Sequence, residues 1–454
     1  MARLPLQGIR VVTNEMAYAI PYTTRIMASM GAEVIKVMPT RYVEAAVTAG
    51  PFPENQPGEE WWNQSLCQTN TNPGKLGLCL DLSKPQGAQL FKKLVSISDV
   101  VTENWPPRVM NNFGLQYSAL REVKPDIIMV SSSAFGQSGP FTNYASYGWG
   151  LDAMTGIFHL AGYPDAPPLG QPTAYSDFVG MLVAGTAIFA ALEYRRRTGK
   201  GQYIDLSQYE AGISVLGDAM LDYTMNGRVQ RRVANLHPSM APHGFYRCKG
   251  EDRWLAIAIS SDDEWQALCR AMGDPSWARD ERFSDVLGRW KNQDELNKLI
   301  ESWTKERDAD ELMGLLQSAG VPAGVMRNSR DMLLSPQMHE RGYYELATST
   351  DPRVGTRPYT GMWQRFSRTP GNIRHAAPLL GEHNEWVFGE LLGITKDELE
   401  KLAGDGVIAT APENPDNYVL ARVKLADMEK AGLLRHYDDD YKQMFAAKLG
   451  WHLG

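Results

Sequence analysis

Between Ile9 and about Gly136 the chain alternates short apolar runs with amphipathic stretches. "IRVV" reads as a strand, "YTTRIMASMG" as a helix closed by Gly31, and "AEVIKVM" as the next strand. "KLGLCLDL" reads as another strand, and "PQGAQLFKKLVSIS" as a helix with Pro85 near its start. "DVVTENW" and "DIIMVSSSAFG" are two further strands. Repeated strand–helix–strand units predict an α/β fold with a parallel sheet covered by helices. The loop after the first strand, "TNEMAYAIP", has no GxGxxG pattern, so a standard dinucleotide site is not expected.

The pattern changes near Gly227. "GFYRCKGEDRWLAIAIS" has the alternation of a hairpin, with "KGED" as its turn. Helical periodicity follows in "DDEWQALCRAMG" and "NQDELNKLIESWTKERDADELMGLLQSAG". From Pro412 the chain is polar and rich in Asp, Asn and Tyr, which predicts a surface extension with one or two short helices.

A chain of 454 residues is too long for one small core, so two domains, or one with an insertion, are expected. A net charge of −7 argues against a nucleic-acid partner but leaves a phosphate-bearing small ligand open. Cys67, Cys79, Cys248 and Cys269 form no CxxC pair, which fits a reducing compartment. The N-terminus has no signal-peptide core, and the longest apolar stretch, Val179 to Leu192, is too short to span a bilayer. A cytoplasmic protein without a membrane segment is the expectation. His237, His243 and Cys248 fit no zinc spacing, so no metal site is expected.

Asp177 stands ahead of a long apolar helix, where Asp is a favoured N-cap. The loop before it, "LAGYPDAPPLGQPTAYS", is rich in Gly and Pro, and loops at such positions carry active sites in α/β folds. A helix N-terminus also favours the ionised, nucleophilic carboxylate. Both roles are compatible if one oxygen caps and the other faces a cleft. In "SSSAFGQSGP" the Ser and Gly residues form either a backbone nest for an anion or an ordinary loop. "TENWPPRVM" places Asn104, Trp105 and Arg108 at a strand end, as ligand contacts or as a plain turn. The basic cluster in "RRRTGKGQYIDLS" is explained by its place after a helix.

Taken in order, "LQGIRVV", "MGAEVIKVMP", "LDLSKPQG", "DVVTENW", "SSSAFGQSGP", "SDFVG", "RRRTGKGQYIDLS" and "APHGFYRCKGEDRWLAIAI" resemble the class III CoA-transferases. That group includes formyl-CoA transferase, carnitine CoA-transferase and α-methylacyl-CoA racemase. The resemblance runs from about Leu4 to Ile408. It implies a Rossmann-like large domain built from 1–225 and 336–411, a smaller α+β domain at 226–335, and an extension at 412–454. It also implies an interlocked dimer, of identical chains or with a homologous subunit.

The resemblance implies a CoA thioester as co-substrate, with no permanently bound cofactor, and carboxylic acids as the other partners. Asp177 aligns with the nucleophile that passes through an aspartyl anhydride and an aspartyl-CoA thioester. Asn104, Lys75, Arg108, Arg41, Ser133, Phe135 and Gly136 fall at candidate CoA contacts. Tyr18 stands where the formyl-CoA branch has Gln, which argues against oxalate. Tyr147 replaces the His of the racemase branch, and a phenol with a pKa of about 10 is a weak base near neutrality. Transfer is therefore favoured over racemisation; a non-catalytic partner subunit is the third reading. Tyr147 and Trp149 are the expected walls of an acyl pocket, and a bulky or aromatic acceptor such as benzylsuccinate is expected.

Overall fold

The computed structural model describes residues 4–418, 420 and 423–454. Contacts divide these into two units. The first holds residues up to Gly156, then Gln171–Met220 and Glu340–Gly454, and the second holds Ile157–Gly170 and Leu221–His339. The sequence reading kept 157–170 in the first unit and set 412–454 apart; the contacts place them otherwise.

The first unit is built on six strands: β1 (Arg10–Asn14), β2 (Glu33–Met38), β3 (Leu76–Cys79), β4 (Val100–Glu103), β5 (Ile128–Ser133) and β6 (Tyr203–Ser207). All pair in parallel, in the order β3-β2-β1-β4-β5-β6. The direction of winding reverses between β1 and β4, the place where doubly wound sheets open a crevice at their carboxyl ends. The sequence reading did not find β6, because "YIDLS" carries Asp205 and an exposed Tyr203 at the sheet edge.

Side chains alternate faces along a strand, and the central strands are buried on both. Val12, Ile35, Val101 and Met129 point to one core, shared with Leu90, Phe91 and Leu94 of the helix Pro85–Ser96. Their neighbours Val11, Val34, Val100 and Ile128 point to the other. There they meet Met27 and Ala28 of α1 (Ala19–Ser29) and two residues of a long helix described below. Double-sided burial is why these strands carry consecutive apolar residues and no strict alternation.

Four more helices carry or frame the site: α2 (Leu66–Thr71), α3 (Gly148–Thr155), α4 (Tyr175–Thr198) and α5 (Gln208–Ile213). Helix α4 has 24 residues and is, by length and composition alone, apolar enough to cross a membrane, which the shorter stretch read from sequence was not. Its stripe Gly180, Met181, Ala184, Ile188 and Ala191 is buried, spaced at three to four residues so that one face meets α1 and β5. The helix ends on Gly199 in the left-handed conformation that glycine tolerates, after a last turn of Arg195–Arg197.

The second unit contains the expected hairpin, β7 (His243–Arg247) with β8 (Trp254–Ala258), extended by β9 (Ala323–Val325). Trp265, Phe283, Leu296, Ile300 and Leu312 form its own core. In the first unit the chain returns through Val387, Phe388 and Leu402, which complete the core under β1–β3. The C-terminal extension then lies back on the first unit. The ring of Tyr418 packs 5.4 Å from that of Trp61, and its hydroxyl accepts from Val43 N at 2.8 Å.

Candidate active site

Chain reversal after β1 is the first element of the site. Ala17 sits at φ 57, a conformation an L-residue adopts at some cost, and the loop is held from three sides. The amide of Asn104 both accepts from Met16 N and donates to Met16 O, each at 2.8 Å. Glu44 accepts from Ala17 N at 3.0 Å, and the Cys67 thiol on α2 lies 3.6 Å from Ala17 O. Asn104 thus spans the switch point between β1 and β4, and its amide is committed to the loop.

Lys75 requires a correction. It is fully buried, and its ammonium donates to Glu15 at 2.6 Å, Pro21 O at 2.9 Å and Asn72 at 3.0 Å. It has no face open to a phosphate. Burial pushes the Glu15 carboxyl up, but Lys75 and Lys36 outweigh that and hold it below its ordinary range. Thr13 and Thr24 also donate to Glu15. The lysine serves the loop by neutralising a carboxylate at its root.

Asp177 is the third residue of α4, and the N-cap is Ala174. The expected cap role falls to another acid. Asp152 on α3, fully buried, accepts from Tyr175 N at 2.8 Å, Ser176 N at 2.8 Å and Ser176 Oγ at 2.5 Å. Two N–H groups of the first turn are thus satisfied from outside, and the Asp177 carboxylate makes no hydrogen bond or ion pair among the described residues. Burial, and then the charge of Asp152, push its pKa up to about 6.

The surroundings of Asp177 are close and mostly apolar. A Cβ placed on Gly148 would stand 2.4 Å from Asp177 Oδ2 and 2.2 Å from Ala174 Cβ, so only glycine allows this approach of α3. Tyr18 stacks on Tyr22 at 6.3 Å, and Tyr22 meets Phe178 at 5.4 Å. Burial, then Cys67, Tyr22 and Asp177 as neighbours, push the Tyr18 hydroxyl up to about 12.

A cleft of about 340 Å³ opens at the carboxyl ends of β1 to β4, lined by Asn14, Arg41, Tyr42, Asp81, Ser83 and Trp105. Arg41 reaches Ser83 Oγ at 3.4 Å and is otherwise exposed. Tyr42 stands edge-on to Trp105 at 5.9 Å. Asp81 Oδ2 and Trp105 Nε1, behind this wall, are buried without a hydrogen-bond partner. Tyr147 is close enough to Tyr42 to affect its ionisation and directly precedes Gly148, so it lies between the cleft and Asp177.

The remaining candidates divide. Arg108 is exposed, three residues beyond Trp105. Ser133 ends β5 with its hydroxyl buried and unpartnered. Phe135 is buried among Phe141, Tyr144 and Tyr209, and Gly136 takes φ 84 in a turn whose next amide donates to Asp205 at 2.9 Å. That segment is a packed turn at the end of β5. Tyr147 and Trp149 are 63% and 57% exposed, so within one chain they wall no enclosed pocket. Among the described residues no three His, Cys, Asp or Glu side chains stand together as a metal site. His237 and His243 do meet, with ring centres 5.2 Å apart, but lack further ligands. Sequence reading missed Asp152, Gly148 and Cys67, whose contacts with the site arise only through the packing of helices.

A doubly wound sheet with a cleft at its switch point, and a carboxylate without a hydrogen-bond partner at the head of α4, is compatible with an α/β enzyme of acyl chemistry. The chain belongs to the CoA-transferase family III, whose model matches residues 6–384. It is 32% identical over 404 residues to succinyl-CoA–D-citramalate CoA-transferase of Chloroflexus aurantiacus, covering 89% of this chain and 98% of that one. It is 32% identical over 391 residues to succinate–glutarate CoA-transferase of Agrobacterium fabrum, covering 85% and 96%. A crystal structure of a CAIB/BAIF family protein from Brucella suis superposes with a TM-score of 0.77 at 30% identity, covering 86% of this chain and all of that one. The protein is a class III CoA-transferase, and CoA thioesters are its co-substrates.

Substitutions at Lys75, Glu15 and Gly148 test this geometry. Lys75→Met leaves Glu15 buried and unpaired, which should lower stability by about 3–5 kcal/mol in urea unfolding. Adding Glu15→Leu should restore most of the loss. A Lys75 that served CoA instead would raise KM and leave the unfolding midpoint unchanged. Gly148→Ala should displace the Asp177 carboxylate and reduce kcat by roughly 10²-fold. Circular dichroism would confirm the fold, and an unchanged kcat would show that the close approach is dispensable.

Proposed function

We propose that this enzyme moves CoA from an acyl-CoA donor to a carboxylic acid through covalent intermediates on Asp177. The carrying observation is the partly buried Asp177 carboxylate, without a hydrogen-bond partner among the described residues, at the head of α4. Its carboxylate attacks the donor thioester carbonyl, and the carbon–sulfur bond breaks to give an acyl-aspartyl anhydride and CoA thiolate. The thiolate attacks the aspartyl carbonyl, which releases the donor acid and leaves an aspartyl-CoA thioester. The acceptor carboxylate reverses these two steps with its own acyl group and leaves with CoA.

The residues present suit this chemistry. Partial burial weakens hydration of the carboxylate, which makes it a stronger nucleophile. The first turn of α3 begins at Gly148, and its N–H groups have no intrahelical acceptor, so they are available to a developing oxyanion. The nucleotide end of CoA fits the cleft of Arg41, Tyr42 and Trp105, with Arg108 at its rim for phosphate. Tyr147 would lie along the pantetheine path. Exposed Leu182, Val183, Tyr194, Val215 and Met220 support a second copy of this chain, or a homologous subunit, interlocked with the first.

The relatives named above act, by their names, on citramalate and glutarate, which are dicarboxylic acids. Tyr18, Tyr22, Phe178, Tyr147 and Trp149 add a concentration of rings around Asp177. Together these favour succinyl-CoA as donor and a bulky or aryl-substituted acid, such as benzylsuccinate, as acceptor. Tyr147 and Trp149 would wall the acyl site once a partner covers them.

Asp177→Ala should abolish transfer while the fold persists, since Asp152 and not Asp177 caps the helix. Acyl-CoA given without acceptor should label the wild-type peptide that holds Asp177, trapped with hydroxylamine. Retained activity in the variant, or an unlabelled peptide in active protein, rules out the covalent route. In competition among succinate, oxalate, benzylsuccinate and phenylpropanoid acids, kcat/KM should be highest for an aryl acid. Trp149→Ala should lower it for that acid selectively, by at most a few kcal/mol, as each buried methylene contributes about 0.8 kcal/mol. Preference for oxalate, with Trp149→Ala affecting all acids equally, would overturn the aromatic assignment.

A further inference from the structure

We propose that Asp152 is a positioning residue for CoA transfer: by capping α4 from outside it leaves Asp177 unpartnered, and it sets a second buried negative charge beside that carboxylate. The proposal rests on Asp177 as nucleophile. Asp152 spends both oxygens on the first turn of α4, at 2.8 Å, 2.8 Å and 2.5 Å, and is itself fully buried. An N-terminal turn has several unsatisfied N–H groups, and an acid at its third position commonly folds back onto them. Here Asp152 takes two of them, Tyr175 N and Ser176 N, and Asp177 folds back onto none. Asp177 therefore keeps its lone pairs for a carbonyl carbon.

Helix α3 joins two parts of the site. Gly148, at its start, lies flat against Asp177 Oδ2, and Asp152, one turn on, holds the backbone that carries Asp177. The same helix thus fixes both the carboxylate and its helix.

The other ionisable groups around Asp177 do not supply a second negative charge. Tyr18 at the start of α1 and Cys67 on α2 are both pushed up to about 12 and stay neutral, and Tyr22 is also raised. Arg25 on α1 is turned to Asn70 and Thr360. On α5, Tyr209 packs on Phe135, and Glu210 is exposed. Asp205 of β6 accepts from Gln137 N. Asp152 is the charge that acts on Asp177, after burial itself. A carboxylate made more basic in this way is a better nucleophile, yet with a pKa of about 6 it is still ionised at neutral pH.

The test is the acid limb of kcat/KM against pH in the full-length enzyme, with mass spectrometry of the Asp177 peptide after acyl-CoA is added alone. Wild type should lose activity as pH falls through about 6, where Asp177 gains its proton. Asp152→Asn removes the charge and keeps the shape, so the limb should move down by about 0.5–1 pH unit. Ser176→Ala removes a donor from Asp152, leaves its charge less compensated, and should move the limb up. A limb that stays in place in both variants, whatever happens to stability or kcat, makes Asp152 a structural cap and overturns the proposal. If Asp152→Asn does not fold, the direction of the Ser176→Ala shift decides. Labelling of Asp177 with an unmoved limb defeats this inference alone; absence of labelling in active wild type defeats the nucleophile, and this inference with it.

Discussion

A buried lysine–glutamate pair underlies the site. Loops at the ends of parallel strands are usually free to vary, but the loop after β1 must bend through a left-handed Ala17 and deliver Tyr18 beside Asp177. Glu15 anchors it through Lys75 and two threonines, and Glu44, paired with Lys36 at 3.6 Å, holds the next residue. Removing both charges of a buried pair can be nearly neutral, whereas removing one leaves the other stranded. The pair therefore contributes more to the uniqueness of the loop than to net stability. Asn104 completes the arrangement by closing the loop onto β4.

The two acids at the head of α4 divide tasks that one residue usually combines. Asp152 bonds the backbone and Asp177 is left without a partner, free for the proposed attack. Such a division needs a neighbouring helix to supply the cap and a glycine to let that helix come close. Helix α3 provides both. The same proximity places two carboxylates in a partly dehydrated region, where their repulsion is opposed by hydrogen bonds to one of them only. Stability at this point is given up in favour of basicity where the chemistry is required.

The parallel sheet was legible because β1, β2, β4 and β5 are covered on both faces, so each carries adjacent apolar residues, such as Val11–Val12 and Val100–Val101, on opposite faces. β6 was not, since its edge position admits Tyr203 and Asp205. Asp177 could be singled out from the loop before it, but whether it capped or reacted could not, because the competing cap comes from Asp152, 24 residues away from Ser176. Lys75 shows the converse: a basic residue at a matching position read as a phosphate contact, while burial turns it inward. Tyr147 and Trp149 were legible as rings but not as exposed rings, a property that depends on what surrounds α3.

The state of Cys67 has a chemical consequence. It lies next to the loop that carries Tyr18, and under the proposed mechanism a thioester would be opened nearby and a free thiolate would be present for part of each cycle. An ionised cysteine there would compete with Asp177 for the acyl group and form a stable acyl-cysteine dead end, or oxidise with CoA to a mixed disulfide. Burial and the nearby Glu44 carboxylate push its pKa up to about 12, and the other three cysteines are likewise buried. Sulfur held close to the proposed site is kept protonated, so under that mechanism the thiolate in play would be the one the substrate brings.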